Sequence, residues 1–354
     1  MVTFTSTPLP PRERGLELGE RFRAEIADAV GRYRTLFGVH GAAGGRDGFD
    51  IDDWSEQAWE SITRLTPAYA EEIAGIAEGA GLPAREIAAV NARTEILVGA
   101  NPAAAVALSE CSTVVALPEG LAPVAAQTWD WYDAMAGGWL HWTIPYPDGR
   151  VVQTVTEFGM LAKIGVNDAG LGVMLNMLHH AADEQASADG RIGYPVHLLS
   201  RTLLDEAGSV KEAVSIASEA STTASTSLTV VDRDGEAASI ELFPGGPGIL
   251  EPTHGLLVRT NHFVSREGAP GCIAHTLSNS TRVRRDHLLS AFSTPPDSPA
   301  QVLDAMHHHD PEGGVCRHID PALPPVLRAR TLATVVIDVE ESHLDVRRGG
   351  PCAA

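Results

Sequence analysis

The sequence predicts an α+β fold in which two antiparallel sheets lie between two layers of helices. Residues 16–98 have apolar side chains at helical spacing, whereas the chain beyond residue 111 alternates between β-branched runs and pairs of helices. Hairpins that alternate with helix pairs bury one face of each sheet against the other sheet, and the helices cover the outer faces. The expected order of layers is therefore helix, sheet, sheet, helix.

Helices are predicted in the N-terminal part over residues 16–37, 51–64, 66–79 and 84–98. The third of them begins at Thr66 and Pro67, as expected of a cap followed by a first-turn proline. Residues 41–48 are rich in glycine and alanine but lack the Gly-Lys-Ser/Thr ending of a phosphate-binding loop, so they are interpreted as a linker.

Strands are predicted over residues 112–117, 124–131, 150–158, 161–167, 171–176, 227–231, 237–243, 255–260 and 331–339, and helices within 194–220, 280–292 and 299–307. The first two strands are joined by a turn that contains Pro118, so we expect them to pair as a hairpin. That pairing would bring Asp130 back towards Cys111.

Composition narrows the class of protein. The 354 residues predict one large or two moderate domains. The 26 basic residues against 46 acidic ones leave a net charge of −20, which argues against nucleic acid or an anionic membrane as a partner. We see no secretory signal, no membrane-spanning apolar stretch and no CxxC pair among the four cysteines, and we therefore predict a cytoplasmic protein without a disulfide framework or a cysteine zinc site.

Cys111 is the candidate nucleophile. It lies between a run of small and apolar residues and the strand that begins at Ser112. A nearby carboxylate such as Asp130 can orient a thiol or an amine, and a thiolate is nucleophilic enough to attack a carbonyl carbon. The alternative is that Cys111 is a small buried apolar residue at the start of a core strand.

Several segments together resemble the acyl-coenzyme A:6-aminopenicillanic acid acyltransferase family, a branch of the N-terminal nucleophile (Ntn) hydrolases. They are residues 69–82, 91–96, 110–113, 127–131, 163–173 and 259–263. The resemblance implies the Ntn αββα fold and a proenzyme that cuts itself between Glu110 and Cys111. Residues 1–110 would become an α chain and residues 111–354 a β chain, associated in one composite domain. The freed α-amino group, with an ordinary pKa near 8, would serve as the base for its own thiol, so no catalytic histidine is needed.

Three further catalytic residues are implied by matching position. Asn261 resembles the asparagine whose amide helps to hold the oxyanion, a role worth about 3 to 4 kcal/mol in other acyl-transfer enzymes. Asp130 matches the aspartate of an Asn-Trp-Asp motif, and Arg328, or else Arg330, its arginine partner. The chain departs from the family pattern at Glu110, where glycine is common, and at the residue before Trp129, which is threonine instead of asparagine.

Candidate substrate contacts follow from the same strands. Thr113, Thr128, Trp129 and Trp131 are predicted to line the substrate site, although tryptophans at such positions are equally typical of a core. The histidines at 307–309 suggest a metal site at first sight, but neighbouring histidines on a helix point in different directions. No metal and no cofactor are therefore predicted.

The predicted reaction is attack by Cys111 on the carbonyl of a small N-acyl amine or acyl thioester, followed by hydrolysis or by transfer to an amine, with hydrolysis favoured. Alternatives are an acyl-coenzyme A-dependent transferase of the penicillin-biosynthetic type, an amidase of the bile-salt or penicillin V acylase kind, and a non-catalytic binding module that stays uncut. A homo-oligomer is possible in each case.

Overall fold

The computed structural model describes residues 1–44, 49–101, 111–188, 191–274 and 279–353. Its helices are α1 (Pro11–Arg21), α2 (Arg23–Gly44), α3 (Ile51–Leu65), α4 (Pro67–Ala80), α5 (Ala84–Asn91), α6 (Arg93–Ala100), α7 (Ala182–Ser187), α8 (Val196–Glu206), α9 (Val210–Glu219), α10 (Ser280–Ser290) and α11 (Pro299–Met306). Among these ranges there is no helix with the length and apolarity needed to cross a membrane.

The strands form two sheets. They are β1 (Val2–Thr5), β2 (Ser112–Ala116), β3 (Val124–Tyr132), β4 (Trp139–Pro145), β5 (Val151–Glu157), β6 (Ile164–Asn167), β7 (Leu171–Met177), β8 (Thr226–Asp232), β9 (Ala237–Phe243), β10 (Gly246–Leu250), β11 (Leu256–Arg259), β12 (Ala329–Asp338) and β13 (His343–Arg348). The larger sheet has the order β1-β4-β5-β6-β7-β8-β9-β10, and the smaller has the order β11-β2-β3-β12-β13. All neighbouring strands are antiparallel except β1 and β4.

The two sheets pack face to face, and helices cover their outer faces. Contacts between the sheets join β2 to β7, β11 to β9, and β13 to β5 and β6. Helices α8 and α9 lie on β6 to β9 of the larger sheet, while α10 and α11 lie on β11, β2 and β3 of the smaller one. The predicted four-layer arrangement is confirmed.

Helices α1 and α4 lie close together because glycines line their contact. An added Cβ at Gly15 would overlap the backbone of Glu72, and one at Gly75 would overlap the backbone of Arg12. The contact also buries the ion pair between Arg14 and Glu72, with 2.6 Å between the guanidinium nitrogen and the carboxylate oxygen. Burial of two charges is tolerated here because they are paired and hydrogen-bonded.

The predicted N-terminal helices are confirmed as helical, but two of them are broken. Phe22 separates α1 from α2 with φ −122° and ψ 32°, and Ala92 separates α5 from α6 with φ −106° and ψ 23°. The apolar spacing continues through both breaks, so periodicity did not reveal them. Thr66 directly precedes α4, but its hydroxyl donates to the carbonyl of Ile62 and makes no cap bond.

Four strands were missed, and each has a sequence that disguises it. β1 is a four-residue parallel edge strand. In β4 only Thr143 and Ile144 are β-branched, and β10 begins Gly-Pro-Gly, which argues against a strand except at an edge. β13 is an edge strand rich in charged residues, which is typical of edges protected against pairing.

Candidate active site

Cys111 directly precedes β2, the first strand of the β2–β3 hairpin. In the smaller sheet β2 lies between β11 and β3. Ser112 is paired with Thr128 in the antiparallel ladder. The Cys111 thiol lies 3.7 Å from the backbone carbonyl oxygen of Asp130 and is 7% exposed. The prediction that the hairpin brings Asp130 towards Cys111 is confirmed.

Two side chains hold the backbone carbonyl of Cys111. Asn176 Nδ2, from β7 of the facing sheet, donates to this oxygen at 3.0 Å, and Arg284 Nη1, from α10, donates to it at 3.0 Å. Both side chains are fully buried. Three layers of the fold therefore converge on one peptide unit.

Arg284 also connects Cys111 to Asn261. Its Nη1 donates to Ser112 Oγ at 2.9 Å, and its Nη2 donates to Asn261 Oδ1 at 3.0 Å. The amide nitrogen of Asn261 donates to the carbonyl of Met177 at 2.9 Å. The side chain of Asn261 is thus held from both ends, two residues beyond the end of β11.

Arg93, Lys163 and Glu157 form a buried cluster of charges within electrostatic range of the thiol. Lys163 Nζ lies 2.7 Å from a carboxylate oxygen of Glu157, and Arg93 Nε lies 3.2 Å from the same oxygen. Tyr33 donates a short hydrogen bond to the other oxygen of Glu157. Although burial alone would raise it, the two cations lower the pKa of Glu157, so this carboxylate stays charged.

The charges around Cys111 shift the pKa of its thiol in opposite directions. Burial and, after it, the charge of Asp130 raise the pKa of the Cys111 thiol to about 11, although Lys163 and Arg284 act in the lowering direction. Burial and the charge of Arg93 lower the pKa of Lys163 to about 7. The thiol is therefore protonated near neutral pH, and only a base could convert it to the nucleophilic thiolate.

The predicted arginine partners of Asp130 are placed elsewhere. Arg328 donates to the backbone carbonyls of Leu323 and Pro321, each at 2.9 Å, and Arg330 pairs with Asp133 at 2.7 Å. Arg328 directly precedes β12, and Arg330 is paired with Trp131, so its side chain lies on the opposite face of the sheet from that of Asp130.

Arg317 is the arginine whose backbone is joined to the ladder position opposite Asp130. Thr331 pairs with Asp130 between β12 and β3. The backbone nitrogen of Arg317 donates to Thr331 Oγ1 at 2.9 Å, and its carbonyl accepts from the Thr331 nitrogen at 3.1 Å. Arg317 also acts in the lowering direction on the pKa of Tyr132, which burial raises. No local pattern in the sequence marked this arginine.

The four predicted substrate contacts are buried in the hairpin. Thr113 donates to Asn176 Oδ1 at 2.8 Å, and Thr128 accepts from the backbone nitrogen of Ser112 at 3.2 Å. Lys163 Nζ lies 3.7 Å from the ring centroid of Trp129, and Arg93 Cζ lies 4.0 Å from the ring centroid of Trp131. These contacts support the site from within, and direct contact with substrate stays a prediction.

Glu110, the residue on the other side of the predicted scissile bond, lies outside the described residues. Besides Arg317, the residues near Cys111 that sequence reasoning missed include Asn176, Arg284, Lys163 and Arg93. Lys163 opens one of the segments that carried the family resemblance, and its isolated charge before an apolar strand was the available signal. Arg284 is one of several arginines on its helix, and only the fold distinguishes it.

Comparison with known proteins gives matches along nearly the whole chain. A family model described as acyl-coenzyme A:6-aminopenicillanic acid acyl-transferase matches residues 123–352. The acyl-coenzyme A:6-aminopenicillanic-acid-acyltransferase 40 kDa form of Emericella nidulans is 28% identical over 345 residues, which are 96% of this chain and 91% of that protein.

Solved structures give more distant matches. Penicillin V acylase from Agrobacterium tumefaciens is 16% identical with a TM-score of 0.46, over 67% of this chain and 83% of that one. A mutant of conjugated bile acid hydrolase from Clostridium perfringens is 14% identical with a TM-score of 0.37, over 67% of this chain and 92% of that one.

Proposed function

This chain belongs to the acyl-coenzyme A:6-aminopenicillanic acid acyl-transferase family and is an enzyme, and on that premise we propose that it cuts its own Glu110–Cys111 bond and then transfers or hydrolyses acyl groups through Cys111. The observation that supports this most directly is the setting of Cys111. Its thiol is buried at the start of a strand, and Arg284 links its backbone to Asn261.

The first step of the proposal is self-cleavage. The Cys111 sulfur adds to the carbonyl carbon of Glu110, the bond from that carbon to the Cys111 nitrogen breaks, and the nitrogen takes a proton. Water then hydrolyses the resulting thioester, which leaves a carboxylate on Glu110 and a free thiol and α-amine on Cys111. Lys163, with its pKa lowered to about 7, is the proposed acceptor of the thiol proton in the uncut chain.

The second step is acyl transfer by the mature enzyme. The α-amine of Cys111 takes the thiol proton, the sulfur attacks the carbonyl carbon of an amide or thioester, and the oxyanion accepts hydrogen bonds from Asn261 and a backbone N–H. The substrate's amine, now protonated, or the substrate's thiol leaves, and an S-acyl enzyme remains. Water or an amine then takes the acyl group from sulfur.

Asp130 and Arg317 have electrostatic roles in this proposal. A carboxylate beside Cys111 stabilises the α-ammonium group that forms during each turnover, and it would also oppose the thiolate. A cation held beside Thr331, the ladder partner of Asp130, would balance that opposition. We therefore propose Arg317, in place of Arg328, as the arginine that acts on Asp130, because both its backbone nitrogen and its backbone carbonyl are hydrogen-bonded to Thr331.

The proposed substrate is a small N-acyl amine, with hydrolysis ahead of transfer. The second candidate is acyl-coenzyme A-dependent N-acylation, which the name of the Emericella nidulans relative favours. Both reactions pass through the same S-acyl enzyme. They differ in whether water or an amine reaches the thioester.

Intact mass under denaturing conditions is the first test. We expect two fragments whose masses sum to the chain plus one water, with the larger beginning at Cys111, and a single uncut species for Cys111→Ala. A single full-length species in both proteins would refute self-processing and favour the non-catalytic alternative. The processed enzyme would then be assayed on N-acyl amines, and on acyl-coenzyme A with and without 6-aminopenicillanic acid, to separate hydrolysis from transfer.

A further inference from the structure

Four metal-ligating side chains converge where the chain enters and leaves the last two strands. They are His309, Cys316, His318 and Cys352, and their ligand atoms all lie within 4.8 Å of one another. The two sulfurs are 3.2 Å apart, and His318 Nε2 lies 3.8 Å from Cys316 Sγ, 3.4 Å from Cys352 Sγ and 3.0 Å from His309 Nε2.

These four of the six distances between ligand atoms are close to those of a tetrahedral site. Zinc bond lengths of about 2.3 Å to sulfur and about 2.0 Å to nitrogen place the ligand atoms about 3.3 to 3.8 Å apart. Each of the four distances above lies within about 0.6 Å of the value expected for its own pair of atoms. We propose that His309, Cys316, His318 and Cys352 bind one structural zinc ion.

The donor set favours zinc over other ions. Thiolate and imidazole together suit zinc, whereas magnesium and calcium require oxygen ligands. Four protein ligands complete a tetrahedron and leave no open position, which is typical of a structural site and not of a catalytic one. None of the four ligands has a role in the proposed acyl-transfer chemistry, so zinc binding does not depend on that proposal.

The surrounding backbone is consistent with a need for such an ion. From residue 307 to residue 324 the chain forms no helix or strand, although every residue of this segment is described. Structureless connections of this length are uncommon inside compact domains unless something holds them. Gly350 lies directly on the cluster, because an added Cβ there would overlap Cys316 Sγ.

The ion would join two distant parts of the chain. Cys316 and Cys352 are 36 residues apart, and Cys352 follows the edge strand β13. The sequence predicted no zinc site because the ligands form no CxxC pair and His309 stood out only as part of a histidine run. The fold brings them together by pairing β12 with β13, which returns the chain to the segment before β12.

Arg317 lies between two of the proposed ligands. A zinc ion bound to Cys316 and His318 would fix the backbone of Arg317 and therefore its two hydrogen bonds to Thr331. Loss of zinc is then expected to slow self-processing as well as to destabilise the fold. Only this effect on processing depends on the proposed function, and zinc binding does not.

Metal content and cobalt substitution test the site. In a Cys111→Ala background, which removes the other candidate reactive thiol, we expect one zinc per chain by elemental analysis after dialysis against metal-free buffer. Replacement by Co²⁺ should give the intense visible bands of tetrahedral cobalt and a thiolate charge-transfer band in the near ultraviolet. Added Zn²⁺ should raise the melting temperature of the stripped protein.

Matched variants assign the ligands. His309→Ala, at an exposed position, and Cys352→Ser, at a half-buried one, should lose the zinc and the Zn²⁺-dependent rise in melting temperature. His307→Ala and Cys272→Ser should keep both. The proposal is overturned if the stripped protein binds neither Zn²⁺ nor Co²⁺, or if the two ligand variants bind as much metal as the controls. It is also overturned if the intact mass is lower by two hydrogens, which would indicate a Cys316–Cys352 disulfide.

Discussion

An Arg284→Met substitution is expected both to slow self-processing and to destabilise the fold, because this buried guanidinium joins Cys111 to Asn261. It makes hydrogen bonds to the Cys111 carbonyl, to Ser112 Oγ and to Asn261 Oδ1 at 3.0, 2.9 and 3.0 Å. Methionine has a similar length and apolar stem, so the change removes the donors and the charge with little loss of packing volume.

The stability cost follows from the acceptors that remain. The Cys111 carbonyl keeps its bond from Asn176 at 3.0 Å, whereas Ser112 Oγ and Asn261 Oδ1 lose a charged donor. Each buried acceptor left without a partner costs about 1–3 kcal/mol, so the expected loss in the free energy of unfolding is about 2–6 kcal/mol.

The effect on processing is separate. Without Arg284 the Asn261 amide keeps only its bond to the Met177 carbonyl and can turn away from the oxyanion. Loss of one oxyanion donor lowers the rate by about 10² to 10³ in other acyl-transfer enzymes, and we expect a similar decrease in the rate of Glu110–Cys111 cleavage.

Two backgrounds distinguish these effects. Urea unfolding, followed by tryptophan fluorescence, compares Arg284→Met with its parent when both carry Cys111→Ala and cannot process. A time course of intact mass measures cleavage in chains that retain Cys111. Arg282→Met, on the exposed side of the same helix, is the control. Cleavage at the parental rate by Arg284→Met, together with less than about 1 kcal/mol of destabilisation, would refute the reasoning.

Three further predictions concern a buried acid, a helix contact and the arginine partner. Burial raises the pKa of Glu95 from 4.5 to about 7. Between these two pH values the folded protein holds a proton that the unfolded chain has lost, so the stability of the fold falls as pH rises from about 4.5 to about 7. Glu95→Gln should flatten this slope in urea unfolding and add about 3 kcal/mol above pH 7. Gly15→Ala should destabilise by about 1–3 kcal/mol through overlap with α4, whereas Gly31→Ala, with open space around it, should stabilise by about 0.5–1 kcal/mol in the same assay. Arg317→Met should slow self-processing in the mass assay, whereas Arg328→Met should leave it unchanged.

Each of these has an opposing outcome. If Glu95→Gln increased the free energy of unfolding equally at acid and alkaline pH, the pKa of the Glu95 carboxyl group would not be raised. Equal effects of the two glycine substitutions would mean that α1 and α4 are not in backbone contact. Normal processing by Arg317→Met, with slow processing by Arg328→Met, would restore the original assignment of the arginine partner.

The hairpin around Cys111 is the part of the site that the sequence predicted best. The β-branched run after Cys111 and the turn at Pro118 are local signals, and an antiparallel pairing across a short turn leaves few registers. The proximity of Asp130 to Cys111 follows from that register alone. The relation of Asn261 to Cys111 was available only through the resemblance to a family, since 150 residues separate them.

The remaining parts of the site depend on contacts between layers. Arg284 and Asn176 reach the Cys111 carbonyl from α10 and from the facing sheet, and neither is close to it in sequence. Arg328 is the counterexample, because its nearness to the last strand made it plausible while its actual partners are two nearby carbonyls.

The sequence by itself determined the four-layer α+β class, most of its helices and strands, and the hairpin that presents Cys111, because these depend on apolar periodicity and on turns within a few residues. Only the tertiary structure decided which buried cations surround the thiol, that Arg317 is bonded to the ladder partner of Asp130, and that His309, Cys316, His318 and Cys352 meet. Such sets form where strands distant in sequence pair and sheets stack, and no local pattern of residues records which side chains then share a space.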